Sequence, residues 1–345
     1  MRAAREIQLL AATSPVDAAA ERARLVHELR AGRTASPRWT YAPVAHDELR
    51  RALEAAERVL ASEVPSPLVT VYLDRVRELA AEAALCAAAG TPAVAGFASE
   101  RFGAPGPQVQ REASSICASW LAQPASSEEP QLPSDSPDPR SLLSRMRAEV
   151  GRLRLPFTVV VQLSLAPLAA TGEHVILVAS GRPTSEQDVE RTVLHEIEGH
   201  VRPRVRAQAA SQVLFRVGTA RGTDHQEGRA LLLEERASLL GPRRRRQLAA
   251  RHRAVEAMLG GASFTEVAAT LVGEHGVRVE DAVVCAERVF RGSDGQRPGL
   301  GRERVYLESF VLVRAHLAAR PQDERVMEAG QVSVEAIDAM TELVA

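Results

Sequence analysis

The chain has 345 residues, 45% hydrophobic and 25% charged, with a formal net charge of −1. That balance excludes wholesale disorder, and at roughly 150 residues per domain it allows two domains or one large one, with a core that needs no disulfide staples. A charge near zero provides no global basic field, so nucleic acid is not an expected partner.

Cys86, Cys117 and Cys285 are far apart and form no CxxC pair, which argues against a disulfide framework and fits a reducing compartment. The N-terminus breaks its apolar stretch with Glu6 and Gln8 and makes a poor signal peptide. No run approaches about 18 apolar residues; no membrane span is expected, and the expected location is cytoplasmic. All 43 basic residues are arginine, and lysine and asparagine are absent. Both missing residues use A-rich codons, which points to a GC-rich bacterial genome. Lysine chemistry is thereby excluded.

In chain order, residues 1–60 read mostly as helices, with Leu49, Leu53, Ala56 and Leu60 at helical spacing. They are interrupted by RTASPRWTYAP, which Pro37 and Pro43 hold extended; Trp39 and Tyr41 in it read as packing anchors between lobes. Leu68 to Ala88 is strongly helical and ends at Gly90, a C′ glycine. A further helix covers Pro107 to Leu121. Residues 122–140, rich in Pro, Ser and acids, read as a flexible linker or insertion between an N-terminal helical lobe (1–121) and a second lobe (141–345). In that second lobe an amphipathic helix covers Ser141 to Arg154. FTVVVQLS (157–164) and HVILVA (174–179) read as strands. Ser185 with Asp188 forms a capping box that opens a helix. From Gln226 the chain is helical again, broken at Gly241-Pro242, at Gly260-Gly261 and at the glycine-rich 292–301 segment, which reads as a flexible flap. The run Arg243 to Arg246 reads as a solvated helix start, or as an attractor of an acidic tail. The expected fold is α+β and mostly helical, with a small sheet beside the helix that follows Ser185.

That helix carries His195-Glu196-Ile197-Glu198-Gly199-His200. Two imidazoles and a glutamate suit a zinc hydrolase: the histidines hold the metal, the metal activates water, and the glutamate takes the proton. The spacing is unusual. Zinc-protease helices place histidines at i and i+4, about 40° apart on the wheel, whereas i and i+5 are about 140° apart. A regular helix cannot aim both at one ion. The spacing therefore predicts a π-bulge or unwinding between Ile197 and His200, eased by Gly199. Either Glu196 or, read backwards as an inverse motif, Glu198 could be the base. A third ligand is required, and Glu227 or His225 could supply it. Glu234, seven residues after Glu227 on the same face, could accept a hydrogen bond from a ligating histidine. Ordinary surface residues would be the bland alternative for each.

HEIEGH followed by QEGRA resembles the family of microtubule-associated tyrosine carboxypeptidases and their bacterial relatives, which carry HExxxH and QEGLA motifs and bear a label for modulating flavohaemoglobin expression. SPRWTYAP, LAAEAALCAAAGTPAVAGFASERFGAP, RVFRG (288–292) and VYLESF (305–310) are similar to further segments of that family, from about residue 20 to the end apart from 122–140. The resemblance implies a zinc metallopeptidase of carboxypeptidase type with one zinc per chain. His195, His200 and Glu227 would be the ligands and Glu196 the acid/base, which favours Glu196 over Glu198 and Glu227 over His225. A free carboxylate at the end of a peptide or protein tail would call for arginine, with its bidentate fork. Arg288, Arg291 and Arg302 are the candidates, with Tyr306 as an oxyanion donor. Arg229 departs from the leucine of QEGLA, Ser309 from a usual glycine, and tubulin is a poor guess for a chain of bacterial character. An endopeptidase or amidase with the same zinc site, or a non-catalytic regulator that keeps the fold, are the rival readings.

Overall fold

The structure, a computed structural model, describes residues 1–103, 105–124, 132–163 and 165–344. It is 64% helical with a few short strands, the mostly helical α+β class expected. The helices of eight or more residues are α1 (Ala18–Arg30), α2 (Asp47–Ser62), α3 (Pro67–Ala88), α4 (Val94–Phe102), α5 (Pro107–Leu121), α6 (Leu142–Arg152), α7 (Glu186–Leu194), α8 (Arg202–Ala209), α9 (Gly222–Arg236), α10 (Pro242–Leu259), α11 (Phe264–Gly273), α12 (Val279–Phe290) and α13 (Val305–Ala319). The strands are β1 (Leu132–Pro133), β2 (Thr158–Gln162), β3 (Ala169–Thr171), β4 (Val175–Ala179) and β5 (Pro183–Thr184). Local chemistry sets many of these ends. Helix α3 opens with Pro at its first position, where a missing N–H is harmless, and Ser66 caps it by accepting from the Val69 N–H. Just past its end, Gly90 takes a φ of 79°, a left-handed conformation that glycine adopts without strain.

Contacts divide the chain into two compact units: Met1–Ala122 with Arg246–Glu308, and Gln123–Arg245 with Ser309–Ala345. Residues 246–308, expected in the C-terminal lobe, pack with the N-terminal segment instead. In this first unit Leu25, Met258, Phe264 and Phe290 form the main core, with Trp39 packed against it. Trp39 meets Phe264 edge-on, with ring centroids 5.4 Å apart. The Tyr41 hydroxyl donates to the Ser293 carbonyl at 2.8 Å. Both aromatics thus tie the N-terminal segment to residues 264 and 293 of the expected C-terminal lobe, within one compact unit. Gly299 lies so close to the Phe290 backbone that a Cβ would overlap it, and Ser293 is buried. The 292–301 segment is packed structure rather than the expected flap.

In the second unit β2, β4 and β3 form a sheet in that order, β2 parallel and β3 antiparallel to β4. Strands β1 and β5 pair separately and antiparallel. One core joins Leu142 and Met146 of α6, Val159, Ile176 and Val178 of the sheet, Val189 of α7, and Ile197 and Val201. The expected linker is partly folded here. The buried Ser134 hydroxyl donates to the Ala179 carbonyl, and Asp135 accepts from the Ser180 hydroxyl at 2.6 Å and the Gly181 N–H at 2.9 Å. Residues 132–140 are thus fastened to the β4–β5 turn by short polar side chains. The 125–131 part of the segment lies outside the described residues. The arginine run is not simply solvated either. Arg243 pairs with Asp188 and Arg244 with Glu234 in this unit; in the first unit Arg246 donates to the carbonyls of Leu121 and His275.

Among the described residues no helix is long and apolar enough to cross a membrane, and the three cysteines are free and buried. Burial pushes the Cys285 thiol up to about 12, as suits a small core residue rather than a nucleophile. The Ser185–Asp188 capping box is formed, each side chain meeting the other's backbone N–H. Ser185→Ala should therefore cost about 1 kcal/mol of stability, read as a shifted denaturation midpoint with an unchanged slope.

Candidate metal centre

Helix α7 leads without a break into a π-helical turn, His195–Val201. This is the distortion that the five-residue histidine spacing predicts: where residue i bonds i+5, side chains five apart stack on one face. Ile197 and Val201 point into the sheet core, while His195 and His200 turn their Nε2 atoms toward each other at 3.3 Å. Gly199 is required at the turn, because a Cβ there would lie 2.6 Å from the Cβ of Ala230 on α9. Two small residues thus let the turn and α9 close on each other. Gly228 plays the same part on the other side of α9, where a Cβ would overlap the backbone at Ser309.

This approach delivers Glu227. Its Oε2 lies 3.3 Å from His195 Nε2 and 3.7 Å from His200 Nε2. The three residues form a group able to hold a metal ion, their ligand atoms all within 4.8 Å of one another. A tetrahedral ion with bonds of about 2.0–2.1 Å places its ligand atoms about 3.3–3.4 Å apart, so the separations fit such an ion with little adjustment. The donor set, two imidazoles and one carboxylate, suits zinc.

Each histidine is oriented from behind. His195 Nδ1 meets Glu234 Oε1 at 2.7 Å, and His200 Nδ1 meets Gln226 Oε1 at 2.9 Å. Both acceptors fix the proton on Nδ1 and leave Nε2 for the metal. Glu234 is fully buried. Burial alone would raise its carboxyl, but Arg244, the His195 ring and Arg191 outweigh burial and hold it below the usual range. An ionised carboxylate can only accept, which settles the direction of its bond with His195. Burial likewise acts to lower His195, but hydrogen bonds to Glu227 and Glu234 prevail and raise it to about 9. A ring so placed between two carboxylates holds a cation at Nε2, a proton when no metal is bound.

Glu196 is buried and accepts from the Thr171 hydroxyl of β3 at 2.7 Å. Glu198 faces away and pairs with Arg202 at 2.9 Å. His225 accepts the Val334 N–H at its Nδ1 and is not in the metal group. Of the two possible third ligands, Glu227 and not His225 joins the metal-capable group, and Glu196 and Glu198 have different partners. Sequence reasoning missed Gln226 and Thr171. The first adjoins Glu227 and was visible as a polar neighbour of a ligand; the second lies on a strand too short to read.

The remaining candidates gather in the first unit. Arg288 donates to Glu303 at 3.0 Å and to the Tyr306 hydroxyl at 3.3 Å, and Arg302 reaches the same hydroxyl at 3.5 Å. The guanidinium groups of Arg251, Arg288 and Arg302 lie about the Tyr306 ring, 5.5 to 6.0 Å from its centre. Arg288 is thus committed to internal partners. Arg291 has no hydrogen-bond or ion-pair partner for its Nε, and burial followed by repulsion from Arg288 lowers it to about 10. It stays cationic at neutral pH with donor capacity to spare.

A partly buried His–His–Glu group, with the carboxylate of Glu196 next to His195 in the chain, defines a candidate mononuclear metal site. The family described as microtubule-associated tyrosine carboxypeptidase matches residues 29–345, and the chain belongs to that family. No curated protein matches it. Gly199→Ala should disturb the contact that unites the ligands: we expect a loss of about 1–3 kcal/mol from overpacking together with weakened metal retention, measured by thermal unfolding and by elemental analysis of the same preparation.

Proposed function

We propose that this protein is a zinc metallopeptidase that removes residues from the C-terminal tail of a peptide or protein. The observation that carries the reading is the convergence of His195 Nε2, His200 Nε2 and Glu227 Oε2 at near-tetrahedral spacing, beside a buried Glu196 that is not itself in the ligand group. Zinc held by this donor set supplies Lewis acidity toward water and the scissile carbonyl. The protein's residues do the rest. Thr171 donates to one oxygen of Glu196 and leaves the other open to take a proton from the attacking water and return it to the leaving amine. Among the candidate arginines, Arg291 has a buried Nε without a hydrogen-bond partner, the kind of donor that a free carboxylate would satisfy.

Metal analysis of the purified protein tests the ligands. Wild type should hold about one zinc per chain, and His195→Ala and Glu227→Ala should lose it. Glu196→Gln should keep the metal and lose hydrolysis by about two to four orders of magnitude; full activity in E196Q would sink the mechanism. Comparison of free-acid peptides with their C-terminal amides separates the two peptidase readings. A carboxypeptidase cleaves the acids and spares the amides, whereas an endopeptidase or amidase treats both alike. A wild type that retains no zinc would bring the regulatory reading forward.

A further inference from the structure

Four consecutive arginines open α10, where the positive end of the helix dipole disfavours cations. Two of them meet carboxylates of the second unit. Arg244 sends Nε to Glu234 Oε2 and Nη2 to Glu234 Oε1, both at 3.1 Å, a two-pronged grip on a fully buried carboxylate. The same Oε1 receives the His195 Nδ1 proton at 2.7 Å. Arg191 of α7, itself buried, stands 3.9 Å from that oxygen and 3.5 Å from Asp188. Asp188 belongs to the capping box of α7 and pairs with Arg243. An unbroken chain of charged contacts thus runs from the start of α10 to the His195 ring.

We propose that Arg244 is a positioning residue for the metal centre: its guanidinium fork fixes the plane of the Glu234 carboxylate, and Glu234 fixes the His195 ring. A carboxylate on the face of a helix can swing about its last torsions, which are broad. Two parallel N–H donors remove that freedom, and a single ammonium cannot. Arg243, one residue earlier, ends at Asp188 and does not reach Glu234. It ties the start of α10 to the cap of α7 and reaches the ring only indirectly, through Asp188 and Arg191. The neighbouring arginines therefore divide the work, one holding a helix start and the other a ligand.

This rests on the zinc-site reading, and the test keeps the two apart. Zinc affinity is measured for the purified full-length chain by competition with a chromogenic chelator. The visible absorption of the cobalt-substituted protein reports ligand geometry, and thermal unfolding in excess chelator reports the fold without metal. Arg244→Gln should weaken zinc binding about 10–100-fold and alter the cobalt spectrum. Arg244→Lys, which keeps charge and loses the fork, should fall between Gln and wild type. Arg243→Gln should lower the unfolding temperature and leave affinity and spectrum like wild type. Wild-type affinity in R244Q or R244K would overturn the inference, as would an equal loss in R243Q. If R244Q does not fold, R244K against R243Q decides in the same way. Absence of metal binding by wild type itself would instead overturn the zinc-site reading.

Discussion

One residue too many lies between His195 and His200 for a regular helix to serve both, and the structure is arranged around accommodating it. The wide turn they occupy gives up regular α-helical bonding along seven residues. It persists because its surroundings over-determine it: Ile197 and Val201 are clamped in the sheet core, and Gly199 is pressed on Ala230. Arg229 donates to the Glu198 carbonyl inside the turn at 3.2 Å and pairs with Glu328 at 2.5 Å. The cation that departs from the family's QEGLA leucine therefore fastens the turn from outside.

The centre is built in layers of decreasing exposure to choice. The ligand atoms need only meet. For that, each histidine needs its proton on the far nitrogen, which Glu234 and Gln226 enforce. A fully buried Glu234 needs cations beside it, because an unpaired buried charge is too costly to keep. Arg244 and Arg191 meet that need. Gln331 adds a donor to Gln226 at 3.3 Å, so even the neutral acceptor is steadied from a segment about a hundred residues away along the chain.

Much of this was legible in the sequence where the signal was local. The capping box at Ser185, the end of α3 at Gly90, the apolar strands β2 and β4, and the distortion between Ile197 and His200 all follow from spacing and turn chemistry within a few residues. What could not be read depended on partners distant in the chain. Nothing in RRRR reveals that Asp188 waits for Arg243. The short polar run around Ser134 has a linker's composition, yet its hydroxyl and carboxylate find the β4–β5 turn some 45 residues on. The tie between Glu196 and Glu198 illustrates the limit. Their side chains differ only in which way a non-standard turn aims them, and that direction comes from the packing of Ile197 and Val201.

The same wide turn governs the phase of the whole segment from Glu186 to Ala209. Val189, Val193, Ile197, Val201 and Val205 recur at every fourth position, and all five belong to or pack on one core. In a uniform α-helix a four-residue repeat precesses by about 40° per step, so the stripe would wind off the sheet before its end. A turn that winds less per residue takes back part of that drift and returns Val201 and Val205 to the sheet. The insertion that aligns the histidines therefore also keeps the apolar stripe in step. Deleting one residue to restore the commoner histidine spacing would put the downstream valines out of phase, so this centre and its hydrophobic support can change register only together.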